Sequence, residues 1–165
     1  MSFLDSADDP KRPQRRALYL FLMATLGVGA AASLFTTPAI PTWYAGLNHP
    51  AITPPNWVFA PVWTSLYIAM AFAAWRIWKK TGLKSLEMGA FGLQLALNFA
   101  WSGIFFSLHK LAGALVEILL LDLAILYTML LFFRRDWPAG LLLLPYLAWT
   151  LFATVLTYDF WQLNQ

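Results

Sequence analysis

Tryptophan and tyrosine residues recur at helical spacing in this chain, and their rings could bind a flat, apolar molecule. Trp63 and Tyr67 are four residues apart, so their rings should stack on one face of a helix. Trp149, Ala153 and Leu156 follow i, i+4, i+7 spacing, and the small alanine leaves room beside the indole. Plain core packing would produce this second pattern as well. The two groups indicate either the core of a helical bundle or the wall of a binding cavity.

Two amide side chains lie within another apolar segment. Gln94 and Asn98 are four residues apart, and Trp101 follows three residues later on the same side. Amides that face lipid are costly, so both should face the interior of a bundle. There, Asn98 either hydrogen-bonds to a neighbouring helix or presents its amide to the polar edge of a ligand.

Glu117 and Asp122 are the only acidic residues well inside an apolar segment, where a carboxylate is a functional suspect. Glu117 lies nearer the end of its segment and could pair with Lys110. Asp122 lies deeper, so it should be protonated or paired. The two acids are roughly 140° apart around a helix, which argues against a shared acid–base pair. A proton-relay or ion-coupling role for Asp122 stays open.

The standard signatures of metal sites and hydrolytic enzymes are missing from the sequence. The chain has no cysteine, which excludes thiolate catalysis, disulfides and cysteine-ligated metals. His49 and His109 fall in separate loops and are interpreted as solvated residues. There is no HExxH, Walker A or nucleophile-elbow motif. We therefore expect no metal site, no obligatory cofactor and no certain catalytic residue.

Five apolar segments must position these side chains. A composition of 60% hydrophobic and 12% charged residues is too apolar for an ordinary soluble domain. The segments are 18–35, 57–78, 86–108, 111–133 and 139–161. Each is near the roughly 20 residues that cross a hydrocarbon core of about 30 Å, and lipid requires helices because backbone groups must pair internally. The predicted fold is an all-α membrane protein, a bundle of five transmembrane helices.

The remaining residues divide into a tail and a loop. Residues 1–17 are polar and charged and are predicted to be a disordered tail, followed by one transmembrane domain at 18–165. Within that domain, the loop at 36–56 is rich in proline and tryptophan. The stretch 43–67 contains no Lys, Arg, Asp or Glu. This composition favours a loop that folds back over the bundle as a lid at the membrane surface.

The basic residues predict the orientation of the chain. With a cytoplasmic N-terminus, ten of the eleven Lys and Arg residues lie inside and only Lys110 lies outside. The net charge of +3 is then explained by topology, without nucleic-acid binding. Small residues also form a stripe that either packs within the bundle or makes a homodimer interface. The stripe consists of Gly92, Ala96, Ala100 and Gly103.

The order of these motifs resembles the TspO/MBR family, which comprises the tryptophan-rich sensory proteins and the translocator protein or peripheral benzodiazepine receptor. The match covers nearly all of residues 18–162 and rests on WYAGLNHP, TPPNWVFAPVWTSLY, QLALNFAW, IFF and PYLAWTLFATVLTY. The resemblance implies a five-helix bundle, usually a homodimer, whose cavity is closed by the first loop. Members bind porphyrins such as protoporphyrin IX, benzodiazepine- and isoquinoline-type drugs and, in the mitochondrial branch, sterols.

The resemblance also implies which residues form the pocket. By motif they are Tyr44, Pro54, Phe59, Trp63, Tyr67, Asn98, Trp101, Trp149, Ala153 and Leu156. Light-dependent porphyrin breakdown has been attributed to the tryptophans of the family, so Trp63 and Trp149 are the candidates for any catalytic role.

The chain departs from the family pattern at three places. Ile52 stands where the family often has tryptophan. Asn56 stands where an arginine able to pair a ligand carboxylate often follows the two prolines. Tyr158 is followed by Asp159 rather than by the basic residue of the cholesterol-recognition pattern, itself a weak motif. The sequence therefore argues against sterol binding.

Three functions follow from these expectations. The first is a membrane receptor or carrier for tetrapyrroles, protoporphyrin IX or haem-like, and for benzodiazepine- and isoquinoline-type ligands, linked to regulation of tetrapyrrole metabolism and stress. The alternatives are a light-dependent porphyrin-degrading enzyme and a small ion-coupled transporter that depends on Asp122. The short tail after the last segment and the absence of a transit-like presequence favour a bacterial cell envelope.

Overall fold

Five long helices make up the fold in the computed structural model, which describes residues 12–165. They are α1 (Arg12–Ala39), α2 (Phe59–Thr81), α3 (Leu86–Ser102), α4 (Leu111–Arg135) and α5 (Trp137–Leu163). All five are long and apolar enough to cross a membrane. The described residues contain no strand. The predicted five-helix, all-α fold is confirmed.

Local sequence signals set several helix ends. Gly82 ends α2 with a φ of 74°, a left-handed conformation that favours glycine. The Oγ of Ser85 then caps α3 by accepting a hydrogen bond from the backbone N–H of Met88 at 3.3 Å. At the other end of the bundle, a short 3₁₀ turn at Asn56–Val58 leads into α2. A π-helical turn at Gly103–Ser107 continues α3.

Helix α1 is longer at both ends than the sequence indicated. It begins at Arg12 rather than near residue 18, and its first turns are anchored because the Trp75 indole N–H donates to the carbonyl of Gln14 at 2.9 Å. Arginine and glutamine are good helix formers, so the helix can continue beyond the hydrocarbon region. Residues 1–11 of the predicted tail lie outside the described residues. At its other end α1 continues to Ala39, which leaves residues 40–55 as the loop that we call the lid.

The helices differ in how deeply they are enclosed. Helix α4 has the largest buried share of the five helices, and its Ile118, Leu121 and Ile125 are almost fully buried. Helix α2 contributes Met70 and Ile77 to the same close-packed core. Helix α1 lies at the edge, and most of its described side chains are exposed or half-buried.

Ion pairs join the helices at one end, which we call the basic end. The Asp136 side chain, 3% exposed, pairs with Arg76 at 3.0 Å and with Lys80 at 3.2 Å. Arg135 pairs with Glu87 at 2.6 Å. The α2–α3 and α4–α5 connections thus carry their cations to the same end of the molecule. The lid, the α3–α4 connection and the end of α5 occupy the opposite end, which we call the lid end.

Asp136 gives the basic end a predicted pH dependence. Burial opposes its ionisation, but hydrogen bonds from Arg76 and Lys80 outweigh burial and lower the pKa of the carboxyl below its usual value. A depressed folded-state pKa stabilises the protein above the unfolded pKa of about 3.9, and that contribution is lost as pH falls further. We expect Asp136→Asn to lower stability by about 1–3 kcal/mol at neutral pH, read as a lower melting temperature in detergent.

The difference between wild type and Asp136→Asn should shrink as the pH falls below about 4, because the wild-type carboxyl is then protonated. Asp159→Asn is the matched control, since Asp159 makes no hydrogen bond or ion pair within residues 12–165. Equal melting temperatures of the two variants at neutral pH would contradict a stabilising role for the Asp136 ion pairs.

Candidate functional site

A cavity of about 490 Å³ lies in the lid-end half of the bundle. Side chains from all five helices and from the lid line it, and its volume lies within the roughly 300–1,000 Å³ of small-molecule sites. None of the described residues that line it is Asp, Glu, Lys, Arg or His. Burial raises the pKa of the Tyr44 phenol, which therefore stays neutral at physiological pH. The wall is polar in places but carries no formal charge.

Nine of the ten residues that the sequence placed in a pocket line this cavity. They are Tyr44, Phe59, Trp63, Tyr67, Asn98, Trp101, Trp149, Ala153 and Leu156. Pro54 does not line the cavity. It lies half-buried in the lid, next to Pro55, which is the residue that precedes the 3₁₀ turn at Asn56–Val58.

Aromatic rings pack against one another along the wall. The rings of Trp63 and Tyr67 are stacked, with centroids 5.6 Å apart and an interplanar angle of 30°, as their spacing predicted. The Trp63 ring also meets Tyr146 of α5 edge-on, at 6.2 Å between centroids. About one turn nearer the lid end on the same two helices, Phe59 and Trp149 meet edge-to-face at 5.9 Å. Offset and edge-on geometries are the favoured arrangements of aromatic pairs. The indoles of Trp63 and Trp149 are therefore each supported by a neighbouring ring.

Asn98 connects three helices beneath the rings. Its Oδ1 accepts a hydrogen bond from the Tyr67 hydroxyl at 2.6 Å, and its Nδ2 donates to the Tyr146 hydroxyl at 3.1 Å. Of the two roles that the sequence left open, the structure therefore shows hydrogen bonding to α2 and α5. Asn98 also lines the cavity.

Removing this amide should destabilise the bundle. In Asn98→Leu the hydroxyls of Tyr67 and Tyr146 lose their partner while buried, and each unsatisfied group costs about 1–3 kcal/mol. We expect a clear fall in melting temperature. Replacing all partners by apolar groups is close to neutral, so adding Tyr67→Phe and Tyr146→Phe should restore much of the loss. A triple variant no more stable than Asn98→Leu would show that Asn98 does not stabilise the protein through its hydrogen bonds to Tyr67 and Tyr146.

The lid is fastened to the rest of the lid end by rings and amides. The buried Tyr44 ring packs against Phe160 at 5.4 Å between centroids, and Trp43 stacks on His109 at 4.2 Å. Asn48 and Asn164 then form a reciprocal pair: the Asn48 N–H donates to Asn164 Oδ1 at 2.8 Å, and Asn164 Nδ2 donates to the Asn48 carbonyl at 3.1 Å. The lid thereby lies across the end of α5.

The two acids of α4 lie outside the cavity wall. Asp122 is paired, as expected for a buried carboxylate, because the Thr154 hydroxyl donates to its Oδ2 at 2.7 Å. Glu117 is buried without a hydrogen-bond partner within residues 12–165, and the pairing with Lys110 that the sequence left open does not form. Both acids therefore lie behind the wall, which Ile118, Leu121 and Thr150 form at this place.

Sequence reasoning missed the contribution of α1 to the wall. Gly29 lies against Tyr67 so closely that an added Cβ would be 2.5 Å from the ring atom Cε2. Ala32, Ser33 and Thr36 line the cavity from the same helix. The run of small residues from Gly27 to Ser33 was the available signal, because such runs permit close approach between helices.

Fold and site together define a class: a multi-pass membrane protein of five helices, with a ring-lined cavity free of formal charge beneath its first loop. The TspO/MBR family model matches residues 20–162. The chain belongs to the TspO/MBR family, and the resemblance drawn from its motifs is confirmed.

Several named relatives support this assignment. The chain is 41% identical over 144 residues to the tryptophan-rich protein TspO of Archaeoglobus fulgidus, covering 87% of this chain and 94% of the relative. It is 42% identical over 127 residues to the translocator protein of Bos taurus, covering 74% and 75%. It is also 36% identical over 148 residues to protein CrtK of Rhodobacter capsulatus, covering 88% and 91%.

Proposed function

We propose that this protein is a membrane receptor or carrier for tetrapyrroles such as protoporphyrin IX, linked to the regulation of tetrapyrrole metabolism and stress. The observation that carries the proposal is a cavity walled by the indoles of Trp63, Trp101 and Trp149 and without a formal charge. Such a wall favours a ligand with a flat, apolar ring system. The names of two relatives, translocator protein and tryptophan-rich sensory protein, are consistent with transport or sensing.

Affinity in this proposal comes mainly from burying the ring system. Apolar burial contributes about 25 cal/mol per Å², and each well-placed aromatic pair adds about 0.5–1.5 kcal/mol. The Trp101 indole N–H is buried without a partner among the described residues, and we assign it a polar atom of the ligand as acceptor. Benzodiazepine- and isoquinoline-type molecules share the flat aromatic character and would use the same wall.

Titration with protoporphyrin IX in detergent tests the proposal. Quenching of the protein's tryptophan fluorescence should saturate near one porphyrin per chain, because the rings of the wall lie against a single cavity. An isoquinoline carboxamide should reverse the quenching by competition. Quenching that rises without saturation, and that no competitor reverses, would contradict binding in this cavity.

A second candidate function is light-dependent porphyrin degradation, and the position of both candidate tryptophans in the wall favours it. Either Trp63 or Trp149 would lie beside a bound, photoexcited macrocycle as an electron donor. Illumination of the complex should then give a new absorbing product that Trp149→Phe does not form. Bleaching at the rate of free porphyrin would remove this candidate.

We further propose a homodimer with a cytoplasmic N-terminus in a bacterial cell envelope. Gly92 and Ala96 of the small-residue stripe are exposed on α3, and a Cβ added at Gly92 would meet nothing within 4 Å. This leaves space for a second copy to approach closely. The clustering of cations at the basic end supports the orientation. The mass of the detergent-solubilised protein distinguishes a dimer from a monomer.

A further inference from the structure

Some residues of the cavity wall are also exposed on the outside of the molecule, and they belong to two adjacent stripes. On α1 these residues are Leu26, Ala30, Ser33 and Thr37. In the 3₁₀ turn before α2 and in the first turns of α2 they are Asn56, Ala60 and Thr64. The spacing of three and four residues places each set on one helix face. Wall residues from α3, α4, α5 and the lid are all buried or half-buried. The cavity therefore reaches the outer surface between α1 and α2.

The hydrogen bond and the ring contact that join α1 to α2 lie at the basic end of the bundle, and a close approach of the two helices follows near the middle. Near the basic end, the Phe21 and Trp78 rings lie 6.3 Å apart between centroids, and Trp75 donates to the Gln14 carbonyl. Gly29 lies against Tyr67 near the middle. Beyond Gly29 towards the lid end, no hydrogen bond or ring contact joins the two helices among the residues that the structure describes.

The lid end offers no comparable opening, since the lid is held to α5. Besides the reciprocal Asn48–Asn164 pair, Asn48 Nδ2 donates to the carbonyl of Leu163 at 3.1 Å. The Tyr44 ring lies beneath, packed on Phe160 and 5.9 Å from Phe106 between centroids. A ligand that passed through the lid would have to break these amide contacts and displace a buried ring.

We propose that ligands enter and leave the cavity sideways, between α1 and α2, from the half of the bilayer nearest the lid. We call this gap, bounded by Ala30, Ser33, Ala60 and Thr64, the α1–α2 portal. The inference rests on the proposed function and adds the route and the source of the ligand. The ligand is a molecule dissolved in the membrane, and the lid stays fastened while it passes.

The chemistry of the portal fits a membrane-dissolved ligand. The Ser33 and Thr64 hydroxyls donate to carbonyls of their own helices, at 2.6 Å and 2.8 Å. Their hydrogen-bonding needs are met within the helix, so they expose little unsatisfied polarity to lipid. Neither rim carries a charged residue. A flat ring system can therefore slide past without desolvating a charged side chain of the protein, which would be costly at this depth.

A pair of double variants tests the route. Ala30→Phe with Ala60→Phe places two rings in the portal, whereas Ala24→Phe with Ser65→Phe places them on exposed faces of the same helices outside the wall. Stopped-flow measurements of protoporphyrin fluorescence in vesicles should show association and dissociation both slowed about tenfold or more by the portal variant. Slowed dissociation is the diagnostic result, because a narrowed route raises the barrier in both directions, whereas rings that only disturbed the wall would weaken binding and speed dissociation. The control variant should match the wild type.

A staple on the lid provides the opposing test. The chain has no cysteine, so Asn48→Cys with Asn164→Cys allows a single disulfide across the amide pair, verified by loss of free thiol. Both rates should be the same in the oxidised and reduced forms. Rates slowed by the staple and unaffected by the portal rings would overturn the proposed route while leaving the proposed function intact. A wild-type protein that does not bind protoporphyrin would instead overturn the function.

Discussion

Trp63→Ala will weaken protoporphyrin binding by about tenfold to a hundredfold, which corresponds to about 1.4–2.8 kcal/mol. The Trp63 ring lines the cavity and is held in place by Tyr67 on one side and Tyr146 on the other. Its removal takes away a stacking partner of the ligand and the apolar area around it. The change in the porphyrin's own absorption is the measurement, because it does not depend on which tryptophans remain.

Two further substitutions make this result specific. Trp57→Ala removes an indole of equal size that is 75% exposed and does not line the cavity, so its affinity should equal that of the wild type. Trp63→Phe keeps a ring at the position and should give an intermediate affinity. The melting temperature of each variant separates a lost ligand contact from a loosened fold. Equal affinity in Trp63→Ala and wild type would place the porphyrin elsewhere.

The second large effect is expected from a single methyl group. In Gly29→Ala the new Cβ would lie 2.5 Å and 2.8 Å from two ring atoms of Tyr67, well inside van der Waals contact. Either Tyr67 moves away from Asn98, or α1 moves away from α2. Overpacking of this kind costs about 1–3 kcal/mol, so we expect a lower melting temperature together with about tenfold weaker porphyrin binding.

Gly27→Ala is the matched control for this effect. Gly27 lies two residues earlier on the same helix, and an added Cβ there would meet nothing within 4 Å. Alanine also favours helix over glycine by about 1 kcal/mol, so Gly27→Ala should be neutral or slightly stabilising. If both variants had the same melting temperature and affinity, the close approach of α1 to Tyr67 would not constrain the site.

The helices and much of the wall could be predicted because they depend on local patterns. Length and apolarity located five spans, and a spacing of four residues placed Trp63 beside Tyr67 before any packing was known. The same logic placed Asn98 towards the interior, since a membrane penalises an amide that faces lipid. These inferences require only that the segment is a helix and that one of its faces points to the interior of the bundle.

Contacts between distant parts of the chain could not be predicted in this way. Asn48 and Asn164 are 116 residues apart, and nothing in the spacing of either one indicates the other. Spacing alone also could not choose between the two roles of Asn98, because the choice depends on Tyr67 and Tyr146 arriving from α2 and α5. Pro54 was assigned to the pocket by motif, but it lies in the lid outside the cavity wall, and a motif does not show which of its residues reach the wall.

The wall residues of α1 were missed for a different reason. Glycine, alanine and serine have small side chains that do not by themselves indicate a binding site. Their importance depends on which side chains of other helices pack against them. Gly29 matters because the Tyr67 ring lies against it, and Gly27 on the same helix has no such neighbour. A sequence shows that close approach is permitted, but the structure shows where it occurs.

The low burial of α1 has a consequence for the range of ligand sizes that the cavity can hold. Thr25, Ala32 and Ala39 are the buried residues of its described part, whereas α2 to α5 share the core. Because α1 is the least buried of the five helices, a small displacement of α1 would disturb less of the core than an equal displacement of any other helix. Such a displacement would widen the cavity for a macrocycle or narrow it for a two-ring drug, while the lining residues of α3, α4 and α5 stayed in place.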